Sequence, residues 1–220
     1  RYYGISYFGR LAYNFKDKYL LYGTIRADGS SKFTKDPWGY FPSVGLGWVL
    51  SEENFLNNTE AIDFLKLRAS WGKLGNDNVA ASAGSNTIDV ITVPFGDTQY
   101  TGTTATSVFS NNTWEVIEEK NFGLDLETFD SRLSINADYY IRDTKNAILP
   151  VYIPIVNTYV DRNSGTIRNQ GLEFNAGWSQ QVSDDFRFSI GANFTTLKNE
   201  ATYIENEAGY IDSGSAEFRQ

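Results

Sequence analysis

Asp125 and Glu127 stand two residues apart, and Glu118 and Glu119 stand side by side. Glycoside hydrolysis uses such carboxylate pairs, one to protonate the leaving oxygen and one to attack or to activate water. Both pairs lie in a stretch with a polar alternate face, where paired carboxylates are common for no catalytic reason. Asn76-Asp77-Asn78 offers oxygen ligands to a hard cation, yet lacks the alternating spacing of a calcium loop. The chain contains no Cys and no His. That removes thiolate and imidazole metal sites, disulfides and Ser-His-Asp catalysis. No enzyme activity, metal or cofactor is expected. Tyr100, Phe109 and Trp114 sit in or beside the longest connection. Their rings are weak candidates for stacking on sugars or on a partner, set against simple packing of the loop.

The elements that would hold these residues show a rhythm. Segments of about ten residues alternate apolar and polar, as a membrane-spanning β-strand of about 9–11 residues does. They fall near 5–15, 19–28, 40–50, 64–73, 116–128, 132–142, 167–179 and 186–197. In the fourth, Leu65, Leu67, Ala69 and Trp71 oppose Lys66, Arg68, Ser70 and Gly72. In the sixth, Leu133, Ile135, Ala137 and Tyr139 oppose Asn136 and Asp138. Charges fall almost entirely on the polar parity; Lys73 and Lys120 break it, both at segment ends, where a long side chain can snorkel. Phe8, Leu20 and Tyr22 break the pattern the other way. Half-buried antiparallel sheets in soluble domains alternate too, so periodicity alone leaves the two open.

The connections separate them. Those at 16–18, 129–131 and 180–185 are short, with 51–63 an exception in which Ser51 would cap a helical turn through Phe55. Those at 29–39, 74–115 and 143–166 are long, and another is expected after Lys198. Short turns at one end and long loops at the other describe an up-and-down outer-membrane barrel. Tyr13, Phe15, Tyr19, Trp48, Trp178 and Phe186 then fall near one rim, and Trp71 and Tyr139 near the other, as interfacial girdles. Net charge is −8 with no basic stripe, which speaks against a nucleic-acid partner.

Several strings go beyond pattern: RADGSSKF at 26–33, YFPSVGLGW at 40–48 with Pro42 at the strand start, and LKLRASWGKLGN at 65–76. TWE at 113–115, NFGLDLETFDSRLSINADYY at 121–140 with Thr144-Lys145 beyond it, and IRNQGLEF at 167–174 follow in order. Together they resemble the barrel of SusC/RagA-type TonB-dependent outer-membrane transporters of Bacteroidetes. The ordered set carries the resemblance over most of residues 5–200; the connections at 77–110 and 146–163 add nothing to it.

The resemblance implies an all-β, antiparallel up-and-down transmembrane barrel of about 22 strands, of which this chain supplies about eight. It implies import of oligosaccharides or peptides, a SusD-like surface lipoprotein as partner, TonB acting through a plug, and contact with outer-membrane lipid. No plug and no TonB box are seen in residues 1–220, so the chain reads as a piece of the barrel domain. Arg26, Asp28, Lys66, Arg68, Asp125, Glu127, Asp138, Glu173 and Arg187 would face the lumen, touching substrate or plug or pairing with one another. Gly29 and Gly75 are read as turn glycines at positive φ. The alternative is a soluble β-sandwich that binds glycans, or a small closed eight-stranded barrel.

Overall fold

Alternation of this kind buries one parity against something apolar and leaves the other in water. In the computed structural model, residues 2–56, 59, 61–79, 87–107, 112–153 and 158–205 are described. Eleven strands form: β1 (Gly4–Phe15), β2 (Tyr19–Ser30), β3 (Trp38–Val49), β4 (Phe64–Asn76), β5 (Thr87–Phe95), β6 (Thr98–Ser107), β7 (Glu115–Thr128), β8 (Leu133–Ile153), β9 (Thr158–Ser183), β10 (Phe186–Thr195) and β11 (Lys198–Ile204). They make one antiparallel wall in the order β1-β2-β3-β4-β7-β8-β9-β10, with β11 also on β9, and a separate β5–β6 hairpin. From β1 to β10 each wall strand pairs with its chain neighbour, apart from the hairpin inserted between β4 and β7, and β11 returns to β9. That is the up-and-down topology expected.

The register aligns the apolar parity into rows. Tyr19, Trp48, Leu67, Leu124, Ala137, Phe174 and Phe194 are successive partners across the wall. The next row loopward holds Leu21, Leu46, Ala69, Phe122, Tyr139 and Leu172. These side chains are open to the surroundings: Leu46 is 58% exposed and Phe122 56%. A soluble sandwich would lay a second sheet over them; among the described residues none covers this face. The band is slanted. On β2 and β3 it climbs to Ala27 and Trp38, whereas on β9 it runs from Trp178 to Leu172 and gives way to Gln170. Strands tilted about 35–45° to a membrane normal require that slant.

The short turns adopt left-handed backbone at Lys16 and Asp17 (φ 55° and 56°) and at Phe129, Asp130 and Ser131 (φ 60°, 56° and 57°). Such conformations are unfavourable for residues with a Cβ and need support. The Asn14 amide donates to Asp17 Oδ1 at 2.6 Å, and the Asp17 N–H donates to Asn14 Oδ1 at 3.0 Å. The Ser131 N–H donates to Asp63 Oδ2 at 2.8 Å.

Several expectations are corrected. The 74–115 connection contains the β5–β6 hairpin. The 143–166 stretch belongs largely to β8 and β9, and β9 runs 26 residues, far beyond the ~9–11 that a bilayer needs. Beyond Lys198 the chain continues as β11 in β10's register, after Thr196 donates its N–H to the Leu172 carbonyl at 2.8 Å. Leu50–Glu52 form a 3₁₀ turn entered from Val49, and the Ser51 hydroxyl caps nothing. Pro42 lies inside β3, but the ladder to β4 starts one residue later, at Ser43–Gly72, so its missing N–H falls where that ladder ends.

Gly29 and Gly75 lie in strands, not turns. A Cβ on Gly75 would stand 1.9 Å from the Phe41 ring, and one on Gly45 2.1 Å from the Tyr22 ring. Tyr22, an apolar side chain on the polar parity, therefore lies over a glycine of the next strand, and Leu20 lies against Gly47 in the same way. Aromatic cover of a strand glycine is a known sheet device. It explains two of the three breaks in alternation.

Candidate functional site

The wall presents two candidate surfaces, a charged face on the polar parity, expected to line the lumen, and a clamp at the long-loop end. On the lumen face Arg68 makes a two-pronged contact with Asp125, Nε at 2.9 Å and an η nitrogen at 3.0 Å, and reaches Asp138 at 3.1 Å. The Asn136 amide adds a bond to Asp125 at 3.0 Å, and Lys66 lies 3.7 Å from it. The guanidinium lies over Gly123, where a Cβ would come within 2.7 Å of it. Arg26 pairs with Asp28 at 2.7 Å, and Arg187 donates to the Ser179 hydroxyl at 3.0 Å. Glu173 stands beside Asp138 in the ladder, and Glu127 opposite Ser134. Most of these lumen charges are thus held by one another. Two-pronged, charge-assisted contacts fix geometry as well as supplying energy.

The clamp joins segments far apart in sequence. Phe33, Phe41 and Trp114 form a buried cluster, with ring centroids 5.1 Å apart for Phe33–Trp114 and 5.4 Å for Phe41–Trp114. Around it, the Ser30 hydroxyl donates to Asp77 Oδ2 at 2.8 Å, and Lys32 Nζ to the Asp77 carbonyl at 2.8 Å. The Asn76 amide donates to Glu115 at 2.6 Å, and the other oxygen of Glu115 accepts from the Ile148 N–H at 2.8 Å. The Asn112 amide donates to the Asp161 carbonyl at 2.9 Å, and Thr113 and Asn163 exchange two bonds at 2.7 and 3.0 Å. Gly75 leaves the room that Phe41 fills. The strings singled out in the sequence converge here: RADGSSKF brings Ser30, Lys32 and Phe33, YFPS brings Phe41, LGN brings Gly75 and Asn76, and TWE brings Trp114 and Glu115.

The loop aromatics fare differently from one another. Tyr100 is 59% exposed on the β5–β6 hairpin, edge-on to Phe95 at 6.5 Å. Trp114 is 7% exposed, its ring packed against Phe33 and Phe41. Phe109 lies outside the described residues. The sequence reading missed Phe33, Phe41 and Phe95. Two of them stood within the quoted strings, at the end of RADGSSKF and after Tyr40. Asn76 and Asp77, weighed as cation ligands, are engaged with Glu115, Ser30 and Lys32. Glu118 and Glu119 point to opposite faces, Glu118 toward Trp71 and Lys145, Glu119 toward Arg142.

At the short-turn end, Tyr13, Phe15, Tyr19 and Trp48 form a ladder of stacked rings with successive centroids 6.4 Å apart. Glu53, from the 3₁₀ turn, accepts from the Tyr19 hydroxyl at 2.6 Å and from Trp48 Nε1 at 3.0 Å, with Lys18 at 3.6 Å. Those bonds, the tyrosine's first, hold the Glu53 carboxyl below the usual carboxylate range. Rings with an apolar body and a polar tip satisfied at one level make an interfacial girdle.

A family model described as TonB dependent receptor-like, beta-barrel, matches residues 1–216. This chain belongs to that family. It is 35% identical over 222 residues to the TonB-dependent receptor SusC of Bacteroides thetaiotaomicron, covering 96% of this chain and 22% of that protein. It is 32% identical to the TonB-dependent receptor P3 of Formosa agariphila, covering 98% and 22%. The wall superposes on the RagAB peptide importer in its open-open state with a TM-score of 0.86 at 24% identity, covering 97% of this chain and 24% of that one. The FrpB iron transporter from Neisseria meningitidis shares the fold at a TM-score of 0.57 and 15% identity. The chain thus spans 22% of the length of the two curated relatives. SusC/RagA-type TonB-dependent receptor barrels are outer-membrane proteins, and this chain is a length of such a wall.

Proposed function

We propose that this wall is part of an outer-membrane importer that takes up oligosaccharides or peptides through a plugged lumen, driven by TonB and lidded by a SusD-like lipoprotein. The observation that carries the reading is the division of one continuous sheet into an outward apolar band and an inward face of paired charges. A wall of this kind separates lipid from a hydrated passage. Support for the cargo class comes from the similarity to SusC and to a peptide importer, and support for the partner comes from the same likeness. The loop aromatic Tyr100 remains a candidate cargo or partner contact on the exposed hairpin.

The test is deletion of the full-length gene in its own host, followed by growth on single oligosaccharide or peptide sources, with affinity capture of the tagged transporter from solubilised membranes. The reading expects loss of growth on one such source and recovery of a surface lipoprotein with the barrel. Undiminished growth on every source, with a barrel that purifies alone, would contradict it.

A further inference from the structure

Lys73 and Lys120 carry charge on the outward parity, where the apolar band requires none. The register shows where they stand. Trp71, Lys120, Ile141, Gln170 and Lys198 form one outward row, and Lys73, Glu118, Asp143, Arg168 and Glu200 form the next row loopward. On β4 and β7 the band ends at Trp71 and Phe122, and each lysine is the next outward residue. Both therefore sit at the long-loop, outer rim of the band, at the level of lipid headgroups.

The carboxylates of that rim are already engaged. Glu118 is held by Lys145 and by Trp71 Nε1. Asp143 takes both prongs of Arg168, at 2.7 and 2.8 Å. Glu200 takes Lys198 at 2.8 Å. Lys73 and Lys120 are left without a carboxylate within 4.0 Å among the described residues, Lys73 resting 5.8 Å over the Trp71 ring. The rim thus carries an excess of positive charge on a chain whose net charge is −8. Lys73 and Lys120 are diagonal neighbours on adjacent strands, about 7–8 Å apart at the backbone, so both ammonium groups can close on one anion.

The geometry points to a headgroup site: Lys73 and Lys120, above Trp71, bind the phosphate of an outer-leaflet lipid. The proposal rests on the outer-membrane placement of the wall. Charge complementarity and the position at the edge of the apolar band select the occupant, because a phosphate there arrives with acyl chains that cover Trp71, Phe122 and Ile141. Near a membrane surface each lysine strengthens attachment of an anionic lipid about fivefold.

The full-length barrel is to be placed in phosphatidylcholine nanodiscs containing equal amounts of phosphatidic acid and diacylglycerol of the same chains, then extracted, and the lipid retained per barrel measured by mass spectrometry. Wild type is expected to retain phosphatidic acid over diacylglycerol by about tenfold or more, and K73Q/K120Q to lose most of that preference. K35Q/K66Q, with the same change of charge away from the rim, is expected to keep it. No preference in wild type, or an equal loss in K35Q/K66Q, would overturn the site. Release of the lipid by millimolar inorganic phosphate would also overturn it, since the site would then take a free anion and not a headgroup. Should K73Q/K120Q fail to assemble, wild type alone decides: its preference must fall steeply with added salt, and a salt-insensitive preference would sink the proposal.

Discussion

The two ends of this wall are held together differently. At the turn end local bonds brace the turns themselves, and longer ones such as Asp63 to Ser131 tie neighbouring strands. Asn14 braces Asp17, Asp130 pairs with Arg132 at 2.7 Å, and Glu53 gathers Lys18, Tyr19 and Trp48 beside the stacked girdle. At the loop end the bonds join distant segments: Ser30 to Asp77, Asn76 to Glu115, Asn112 to Asp161, and Phe33 and Phe41 to Trp114. The local braces of a turn can form as soon as its hairpin closes. A loop end assembled from several distant stretches requires the wall to be in register first, because long loops must be closed before their contacts form. The turn end carries the stacked aromatic girdle, and the loop end carries the buried clamp.

Substitutions can break this comparison in order of size. The largest effect belongs to neither end but to the band between them. Leu124→Arg or Ile135→Arg places a charge in lipid at about 2–4 kcal/mol and should abolish assembly of the full-length barrel, read as loss of its heat-modifiable band on gels. Asn136→Arg, one residue away on the lumen face, should assemble.

At the loop end, Gly75→Ala drives a methyl group against Phe41, whose ring is enclosed by Trp114 and Phe33 and cannot swing aside. A loss of about 1–3 kcal/mol is expected, seen as a lower unfolding midpoint in detergent. Adding Phe41→Leu should return part of it; a Gly75→Ala barrel as stable as wild type would show that the clamp is loose.

At the turn end, Asn14→Ala should cost about 1 kcal/mol or less, since one exposed brace of a left-handed turn is lost. The smallest effect is a pH dependence. Glu53 has a depressed folded pKa, so its contribution is present above the unfolded value of about 4.3 and is lost as pH falls through the lower folded value. The difference in unfolding midpoint between wild type and Glu53→Ala should stay constant from neutral pH down to about pH 4 and shrink below it. A difference that grows on acidification would reverse the assignment.

The wall was legible because its signal is local and periodic. Leu65 to Trp71 and Leu133 to Tyr139 show their outward parity without reference to any other strand, and the turn at 16–18 follows from where two such runs meet. The extensions of β8 and β9 were not legible. Outside the membrane no band requires alternation, and Asp143 and Lys145 read as loop composition until their pairing with Arg168 and Glu118 is seen. Gly75 read as a turn because Gly-Asn is a turn dipeptide, and only Phe41, 34 residues earlier in the chain, shows why a glycine is needed there. Whether Trp114 stacks outward or packs in its loop stayed open for the same reason: its neighbours Phe33 and Phe41 come from elsewhere. The motif strings carried this long-range information in their order, as a resemblance, before the geometry gave it a cause.

The central claim is that alternate residues of one strand face lipid and water. The chain has no Cys, so single cysteines placed along β8 from Leu133 to Ile141 can each carry a spin label in the full-length barrel, provided the rest of it is freed of cysteine. Collision with oxygen, which partitions into lipid, and with a water-soluble relaxant is then measured at every position. The account predicts high oxygen contact at 135, 137 and 139 and high relaxant contact at 134, 136 and 138. Equal exposure of both sets to the aqueous reagent would contradict it.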